Sequence, residues 1–384
     1  MRMNRRLTAT LTGICVALIM LTGVHTAGAA EKTVTISGKA YIFNHMDTGI
    51  SGATIKVREL PKISAKTDEF GDYELKVPND TNVTPYILSG EGLLTRRSFE
   101  DNSPVGQTQT HWNEVDLQTF HSRRKDIENA NFQSPADGEF AALKAILQVP
   151  AREDGRPEQC AIVTTASARN VRGVDFHTFW ERTPHGVPGA TSIEYPALEG
   201  PVYFNEFVIP DRTKTETSED GGIVWPIVPT GTYRIVTSSP TERFASFLAT
   251  CKPGRVINAN PPWGAYQLKK GEKPLGASNV AGKVLKIKAF RKGNKRIVAI
   301  KVKSGEKLTL DGSYRNTNMG RPGVPGLVGL FGPGKIPVGT KTIRGRLPGV
   351  TPKRRIPLKF KVRLKDASGV VFTSTHRVTL PKLR

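Results

Sequence analysis

The chain has 384 residues and a formal net charge of +22 at pH 7. This length excludes a single typical core and predicts two or three domains. No stretch after the first thirty residues is apolar enough to span a membrane, which excludes a later membrane-spanning helix.

Residues 1–30 are predicted to be a secretion signal. Arg2, Arg5 and Arg6 form a positive n-region, residues 11–21 are mostly apolar, and small residues at 27–29 supply a cleavage pattern. A transmembrane anchor is the alternative, but the apolar run is short for about 30 Å of hydrocarbon. We therefore expect a secreted, extracellular protein, and attachment to the cell wall is left open.

Residues 31–135 are predicted to form an antiparallel β-sandwich. Apolar residues alternate with polar ones over 34–42, 53–58 and 73–77, as in half-buried strands. Gly49 and Gly71 fall at the intervening turns. Short strands separated by turn signals every 8–12 residues are typical of a sandwich.

Residues 136–157 are predicted to be a short helix and a connector. The helix starts near Pro135 and ends before Pro150. Apolar residues recur at helical spacing at Phe140, Leu143, Ile146 and Leu147.

Residues 158–268 are predicted to form a second sandwich that contains both remaining cysteines, Cys160 and Cys251. In an exported protein such a pair indicates a disulfide, here joining the first and last strands of the sandwich. Closing a loop of this length stabilises a fold by about 4–5 kcal/mol. A reactive thiol or a metal ligand is the alternative, which the lack of a histidine close in sequence disfavours.

One pattern occurs in both predicted sandwiches and indicates a duplicated unit. Its first copy has Gly49-x-x-Gly52-Ala53-Thr54 and then Thr67-x-x-x-Gly71, and its second has Gly186-x-x-Gly189-Ala190-Thr191 and then Thr217-x-x-x-Gly221. The second copy is longer between the two motifs, over 196–212. Long insertions on a rigid sandwich often bind ligands, so this loop is a candidate site.

The order Thr67-Asp68-x-x-Gly71-x-Tyr73 resembles the carboxypeptidase regulatory-like domain, and the second copy resembles it more loosely. The resemblance implies a transthyretin-like (prealbumin-like) sandwich related to starch-binding modules. The family takes its name from a non-catalytic appendage, so no peptidase is implied. The whole chain resembles secreted proteins of actinobacterial type.

A loop near the C-terminal end of the second sandwich is a candidate carbohydrate site. It carries Asn258, Asn260, Trp263 and Tyr266, and Tyr203 in the long insertion is a further candidate. Flat aromatic rings pack against sugar C–H faces while amides bond hydroxyls. The alternative is that Trp263 simply covers the edge of the sandwich.

Residues 269–278 are predicted to be a linker to a basic β-domain over 279–384. Residues 271–384 hold 27 basic residues and four acidic ones. Period-two strands are predicted at 285–288, 300–303 and 358–365. Residues 319–339, rich in Gly and Pro, are predicted to be a long ordered loop.

The basic strands are candidate polyanion sites. Lys359, Lys361, Arg363 and Lys365 point to one face at about 6.6 Å intervals, and a face of the same kind is predicted to carry Lys286, Lys288, Lys301 and Lys303. The alternative is a solvated surface that resists aggregation. The excess charge favours an anionic wall polymer or acidic lipid headgroups, with peripheral membrane contact. Nucleic acid is disfavoured by export and by the scarcity of aromatic residues.

No catalytic, metal-binding or cofactor-binding residues are predicted. The histidines lack ligand spacings, and no G-x-S-x-G elbow occurs. The acids Glu216, Glu219 and Asp220 are interpreted as turn caps rather than a glycosidase pair. The sequence thus predicts an all-β, non-enzymatic, secreted binding protein for carbohydrate or an envelope polymer. The alternatives are a secreted hydrolase or oxidoreductase with a dispersed site, and a structural surface protein.

Overall fold

The computed structural model describes residues 33–293, 295–320, 327–347 and 355–382 of the chain. The predicted secretion signal lies outside these residues. The predicted all-β class is confirmed, because about 53% of the described residues are strand and 6% are helix. Most strand pairs are antiparallel, and they form three sandwich-like parts that we describe in chain order.

The first sandwich, residues 33–136, confirms the strands predicted at 34–42, 53–58 and 73–77. Its central strand β1 pairs antiparallel with β5 and parallel with β12, and the facing sheet contains β4, β3, β7 and β10 in that order. Hairpin β8–β9 extends the first sheet beyond β2. The strands are β1 Thr33–Ile42, β2 His45–Gly49, β3 Thr54–Val57, β4 Ser64–Lys66, β5 Asp72–Pro78, β6 Thr81–Val83, β7 Pro85–Ile87, β8 Gly90–Arg97, β9 Pro104–Trp112, β10 Val115–Asp116, β11 Phe120–Ser122 and β12 Phe132–Ser134.

The predicted helix is confirmed as α1, Asp137–Leu147. It buries Phe140 and Leu147, whereas Ile146 remains 50% exposed. The apolar face of the helix is therefore narrower than its sequence spacing suggests.

The second sandwich repeats the topology of the first. Its strand β13 pairs antiparallel with β17 and parallel with β21, as β1 does with β5 and β12. A 3-10 turn, Arg169–Val171, and helix α2, Phe176–Glu181, were not predicted. The strands are β13 Cys160–Thr165, β14 Thr191–Tyr195, β15 Val202–Phe204, β16 Pro210–Asp211, β17 Gly222–Val228, β18 Gly231–Ser238, β19 Arg243–Phe244, β20 Phe247–Cys251, β21 Val256–Ala259 and β22 Gln267–Leu268.

The repeated motif builds the same turn twice. The hydroxyl of Thr67 accepts the Ala53 N–H at 2.8 Å and donates to the Ile50 carbonyl at 2.6 Å. Thr217 makes the equivalent bonds, at 2.9 Å and 2.7 Å. Gly71 and Gly221 have φ angles of +85° and +75°, in a backbone region that residues with a side chain rarely adopt. The two copies therefore make the same hydrogen bonds, and the residues of the motif stabilise the fold.

The two sandwiches share one nine-stranded sheet. Strand β21 of the second lies parallel to β10 of the first, with Asp116 opposite Ile257. Asp116 is buried and forms ion pairs with Arg58 at 2.5 Å and with Arg255 at 3.7 Å. The pairing of β21 with β10 covers an edge strand of each sandwich, which would otherwise present unpaired backbone groups.

Two segments differ from their predicted roles. The insertion at 196–212 contributes β15 and β16 to the nine-stranded sheet, with Phe204 buried, so much of it is sheet rather than binding loop. The predicted linker 269–278 packs in part: Leu275 contacts the first core, and the buried Ser278 donates to the Thr119 carbonyl. Its Gly/Pro/Lys composition resembles a linker, but non-local contacts hold it in place.

The basic domain is a two-sheet sandwich in which β23, β24 and β27 face β26, β25, β28 and β29. The predicted loop at 319–339 is wrong over 328–336, which form β26 on a sheet edge, and residues 321–326 of this prediction lie outside the described residues. An edge strand tolerates Pro333, and a Cβ at Gly329 would lie 2.4 Å from the Tyr314 hydroxyl. The strands are β23 Gly282–Lys292, β24 Lys295–Ser304, β25 Leu308–Asn316, β26 Val328–Ile336, β27 Gly339–Arg346, β28 Ile356–Lys365 and β29 Val371–Leu380.

A buried ion pair joins the basic domain to the second sandwich. The Arg234 Nε lies 2.6 Å from Asp366 Oδ2, and the two side chains are 0% and 1% exposed. Burial lowers the pKa of Arg234. Its guanidinium also donates to the Ser278 and Asn279 carbonyls, both at 3.0 Å.

Candidate functional site

The predicted disulfide is present. Cys160 and Cys251 are bonded, and their Cα atoms lie 5.5 Å apart. The bond joins β13 in one sheet to β20 in the facing sheet of the second sandwich. Since β21 and β22 follow β20, the bond closes the sandwich across its two sheets and does not join its first and last strands.

The predicted carbohydrate site is wrong, because its side chains are buried. The exposed fractions of these residues lie between 0 and 8%. They are Tyr203, Asn258, Asn260, Trp263 and Tyr266. A platform for sugar rings needs exposed ring faces, and these residues do not supply them.

The aromatic loop instead joins the second sandwich to the first. The Asn260 amide donates to the Asn131 carbonyl at 3.0 Å, and the Trp263 indole donates to the Glu128 carbonyl at 2.8 Å. The Trp263 ring also packs edge-on against Phe120, with centroids 5.7 Å apart. The cause is non-local: β21 pairs with β10, so the loop that follows β21 lies on the first core.

The eight predicted polyanion-binding residues are on the surface, but they do not form one surface. Four lie on the outer face of the sheet β23–β24–β27, and four lie on the outer face of the opposite sheet. We call these surfaces the β24 face and the β28 face. The first carries Lys286, Lys288, Lys301 and Lys303, and the second carries Lys359, Lys361, Arg363 and Lys365.

The β24 face brings like charges directly opposite one another. Lys283 pairs with Lys303, and Lys286 pairs with Lys301, across the β23–β24 ladder. Arg344 and Arg346 extend the face on β27. Like charges directly opposite destabilise a sheet.

The β28 face contains a row of three cations across neighbouring strands. Arg315 on β25 lies opposite Lys359 on β28, which lies opposite Arg377 on β29. Lys335 lies on the same face on β26. Rows repeat at about 4.8 Å between strands and about 6.6 Å along them. Arg315, Lys335, Arg377, Lys283, Arg344 and Arg346 were not predicted, although period-two alternation within β25, β27 and β29 would have indicated several of them.

The four acidic residues of 271–384 leave most of these cations uncompensated. Three form ion pairs: Glu272 with Arg172 at 2.5 Å, Asp311 with Arg363 at 2.5 Å, and Asp366 with Arg234 at 2.6 Å. The buried Glu306 accepts the Ala281 N–H at 2.6 Å. Among the described residues, only Asp311 therefore offsets a cation of either face.

Edge protection does not explain the cations of β24 and β28. Both are central strands, each hydrogen-bonded on both sides. Charges that prevent aggregation belong on edge strands, where backbone groups are unpaired, and this applies to the cations of the edge strands β23, β27, β26 and β29. The cations of the central strands therefore need another explanation, such as a partner of opposite charge.

The acidic turn residues act as caps. Asp68 Oδ1 accepts the N–H groups of Phe70 and Asp72, both at 2.9 Å. Asp220 Oδ2 accepts the Gly222 N–H at 3.0 Å. Burial raises the pKa of Asp220 to about 6.

Within the part of the chain that the structure describes, no group of three or more His, Cys, Asp or Glu side chains could hold a metal ion. Over the same residues, no helix has the length and apolar character that a membrane span needs.

No protein-family model and no curated protein matches this chain. Among solved structures, it is similar to a DUF3823 family protein from Bacteroides ovatus, with 11% identity and a TM-score of 0.19 over 58% of this chain and 99% of that one. It is also similar to a putative carbohydrate binding protein from Bacteroides uniformis, with 13% identity and a TM-score of 0.19 over 58% and 99% of the two chains. Drosophila N-cadherin gives 12% identity and a TM-score of 0.17 over 91% and 74%. Similarity at this level carries no argument about function.

Proposed function

We propose that this chain is an exported, non-enzymatic protein whose basic domain binds a linear anionic polymer of the cell envelope. The observation that carries the proposal is the row Arg315, Lys359 and Arg377 on the β28 face, together with the opposed lysine pairs of the β24 face. An anion that bridges such cations removes their mutual repulsion. Regular rows of cations across neighbouring strands suit a polymer with repeated charges.

The first experiment measures binding of the full mature chain to long-chain polyphosphate as a function of salt. We expect the affinity to fall steeply between low and high salt, because exposed charges are screened beyond about 10 Å at 0.1 M. Retention that does not respond to salt would contradict an electrostatic interface. Vesicles containing acidic phospholipid form a second arm, and binding to vesicles without binding to polymer would overturn the proposal.

Charge-removal variants test each face separately. The β28-face variant is Lys359→Gln, Lys361→Gln and Lys365→Gln, and the β24-face variant is Lys286→Gln, Lys288→Gln, Lys301→Gln and Lys303→Gln. We expect each to weaken polyphosphate binding at least tenfold and to lower its salt dependence.

A matched control removes three exposed lysines from the first sandwich, by Lys62→Gln, Lys66→Gln and Lys76→Gln. This control should bind within about twofold of the natural chain. If it loses as much affinity as the β28-face variant, net charge rather than a defined face is responsible, and the proposal fails. Binding to isolated bacterial cell walls repeats the comparison on the proposed partner.

A further inference from the structure

A second concentration of positive charge lies outside the basic domain, around a cleft of about 600 Å³. Its lining includes Arg123, Arg124 and Lys125, which follow β11, and also Lys273. All four side chains are exposed, and none forms an ion pair with a residue that the structure describes.

The backbone holds the basic segment in an uncommon conformation. Arg124 has a φ angle of +64°, and its N–H donates to the Asn79 side chain at 2.8 Å. Non-glycine residues rarely adopt this region unless the surroundings impose it. The backbone of the segment is thus held beside the cleft.

The lining of the cleft is partly apolar and includes the guanidinium group of Arg172. Arg172 lies over the Tyr266 ring at 4.4 Å, and its Nη2 donates to Glu272 at 2.5 Å. Trp263 and Leu275 also line the cleft. Low-dielectric walls concentrate the field of the surrounding charges and strengthen attraction of a counter-ion.

The nearby carboxylates leave this field positive. Asp126 accepts the Thr35 N–H at 2.8 Å, and Glu272 is paired with Arg172. The exposed Glu128 is the remaining acid in the lining. The lining therefore contains five cations and three carboxylates. Two of the carboxylates already have hydrogen-bond or ion-pair partners.

We propose that this cleft binds a polyvalent oxyanion, a phosphate or carboxylate group, through Arg123, Arg124, Lys125 and Lys273. Arginine presents a planar donor fork that matches an oxyanion, and lysine adds point charge. The site is separate from the β24 and β28 faces, and it does not depend on the polymer proposed for them.

The test measures binding of inorganic pyrophosphate and of citrate to the full mature chain by calorimetry and thermal unfolding. We expect both anions to bind and to raise the melting temperature. The cleft variant carries Arg123→Gln, Arg124→Gln and Lys125→Gln, and its affinity for pyrophosphate should fall at least tenfold. These side chains are exposed, so the variant should fold, and an unchanged circular dichroism spectrum checks this.

The controls separate this site from the proposed function. The β28-face variant should bind pyrophosphate as the natural chain does, and the cleft variant should still bind polyphosphate through its faces. Equal pyrophosphate affinity in the cleft variant and the natural chain would overturn the proposal, as would an equal loss in the Lys62, Lys66 and Lys76 control. Competition identifies the source of the anion: polyphosphate displaces pyrophosphate if polymer end groups enter the cleft, and it does not if a free anion is the ligand.

Discussion

The fold buries the carboxyl group of Asp220, so its ionised form at neutral pH costs free energy. It occupies the turn of the second sandwich where the first sandwich has Phe70, and the insertion brings Phe204 against this turn. Burial raises its pKa from 3.8 to about 6, with the Gly222 N–H opposing the shift. The folded protein thus binds this proton more tightly than the unfolded chain does.

The consequence for stability has a definite sign. The contribution of Asp220 is fully present below about pH 4 and is lost as the pH rises through about 6. At 1.36 kcal/mol for each pKa unit, a shift of about two units costs up to about 3 kcal/mol at pH 7. Asp220→Asn removes the ionisation and keeps an oxygen to accept the Gly222 N–H.

The assay is urea unfolding of the natural chain and the Asp220→Asn variant at pH 4 and pH 7, followed by tryptophan fluorescence. All four tryptophans lie in the first two sandwiches, so the signal reports on the part of the protein that contains Asp220. We expect the variant to gain up to about 3 kcal/mol at pH 7 relative to its difference at pH 4. Comparing the two pH values cancels any fixed cost of burying the amide.

Glu219→Gln removes the same charge from an exposed neighbour and should change stability by less than about 0.5 kcal/mol at either pH. If the stability difference between Asp220→Asn and the natural chain is the same at both pH values, Asp220 is not desolvated in the fold, and the reasoning is refuted.

Three further predictions concern the links between parts of the chain. Asp366→Asn should lower the free energy of unfolding by about 3–5 kcal/mol, because it removes the carboxylate that is paired with the buried Arg234 charge. The double variant Arg234→Met/Asp366→Leu should recover most of that loss, and no recovery in urea titrations would argue against a poorly compensated charge. Replacing Cys160 and Cys251 with alanine should cost about 4–5 kcal/mol, and a melting temperature equal to that of the natural chain would contradict a stabilising bond. The β24 and β28 faces lie on opposite sides of one sandwich, so the natural chain should cross-link polyphosphate into turbid aggregates. Either single-face variant should bind polyphosphate without turbidity. Undiminished turbidity in both variants would contradict bivalent binding.

Local patterns account for the strands that the sequence predicts, a minority of those in the described residues. Alternation over 73–77 or 358–365 depends only on neighbours in the chain, because successive side chains of a strand point to opposite faces. The repeated Thr and Gly residues are visible in the sequence as a pattern, and in each copy the Thr of the second motif bonds the backbone of the first, 14 residues away for Thr67 and Ala53 and 27 for Thr217 and Ala190. Export and a single cysteine pair were enough to predict the disulfide.

The site required the tertiary structure. Trp263 and Tyr266 have the composition of a sugar platform, yet the pairing of β21 with β10 places them in the core of the first sandwich. The period-two pattern around Lys301 and around Lys361 predicts the side of its own strand on which each lysine lies. It does not predict that the outer faces of the two sheets point in opposite directions. Arg123 and Lys273 meet at one cleft although 150 residues separate them. Strand period is a local property of the backbone, whereas sheet order and loop contacts depend on pairings between distant segments, and only the folded chain decides them.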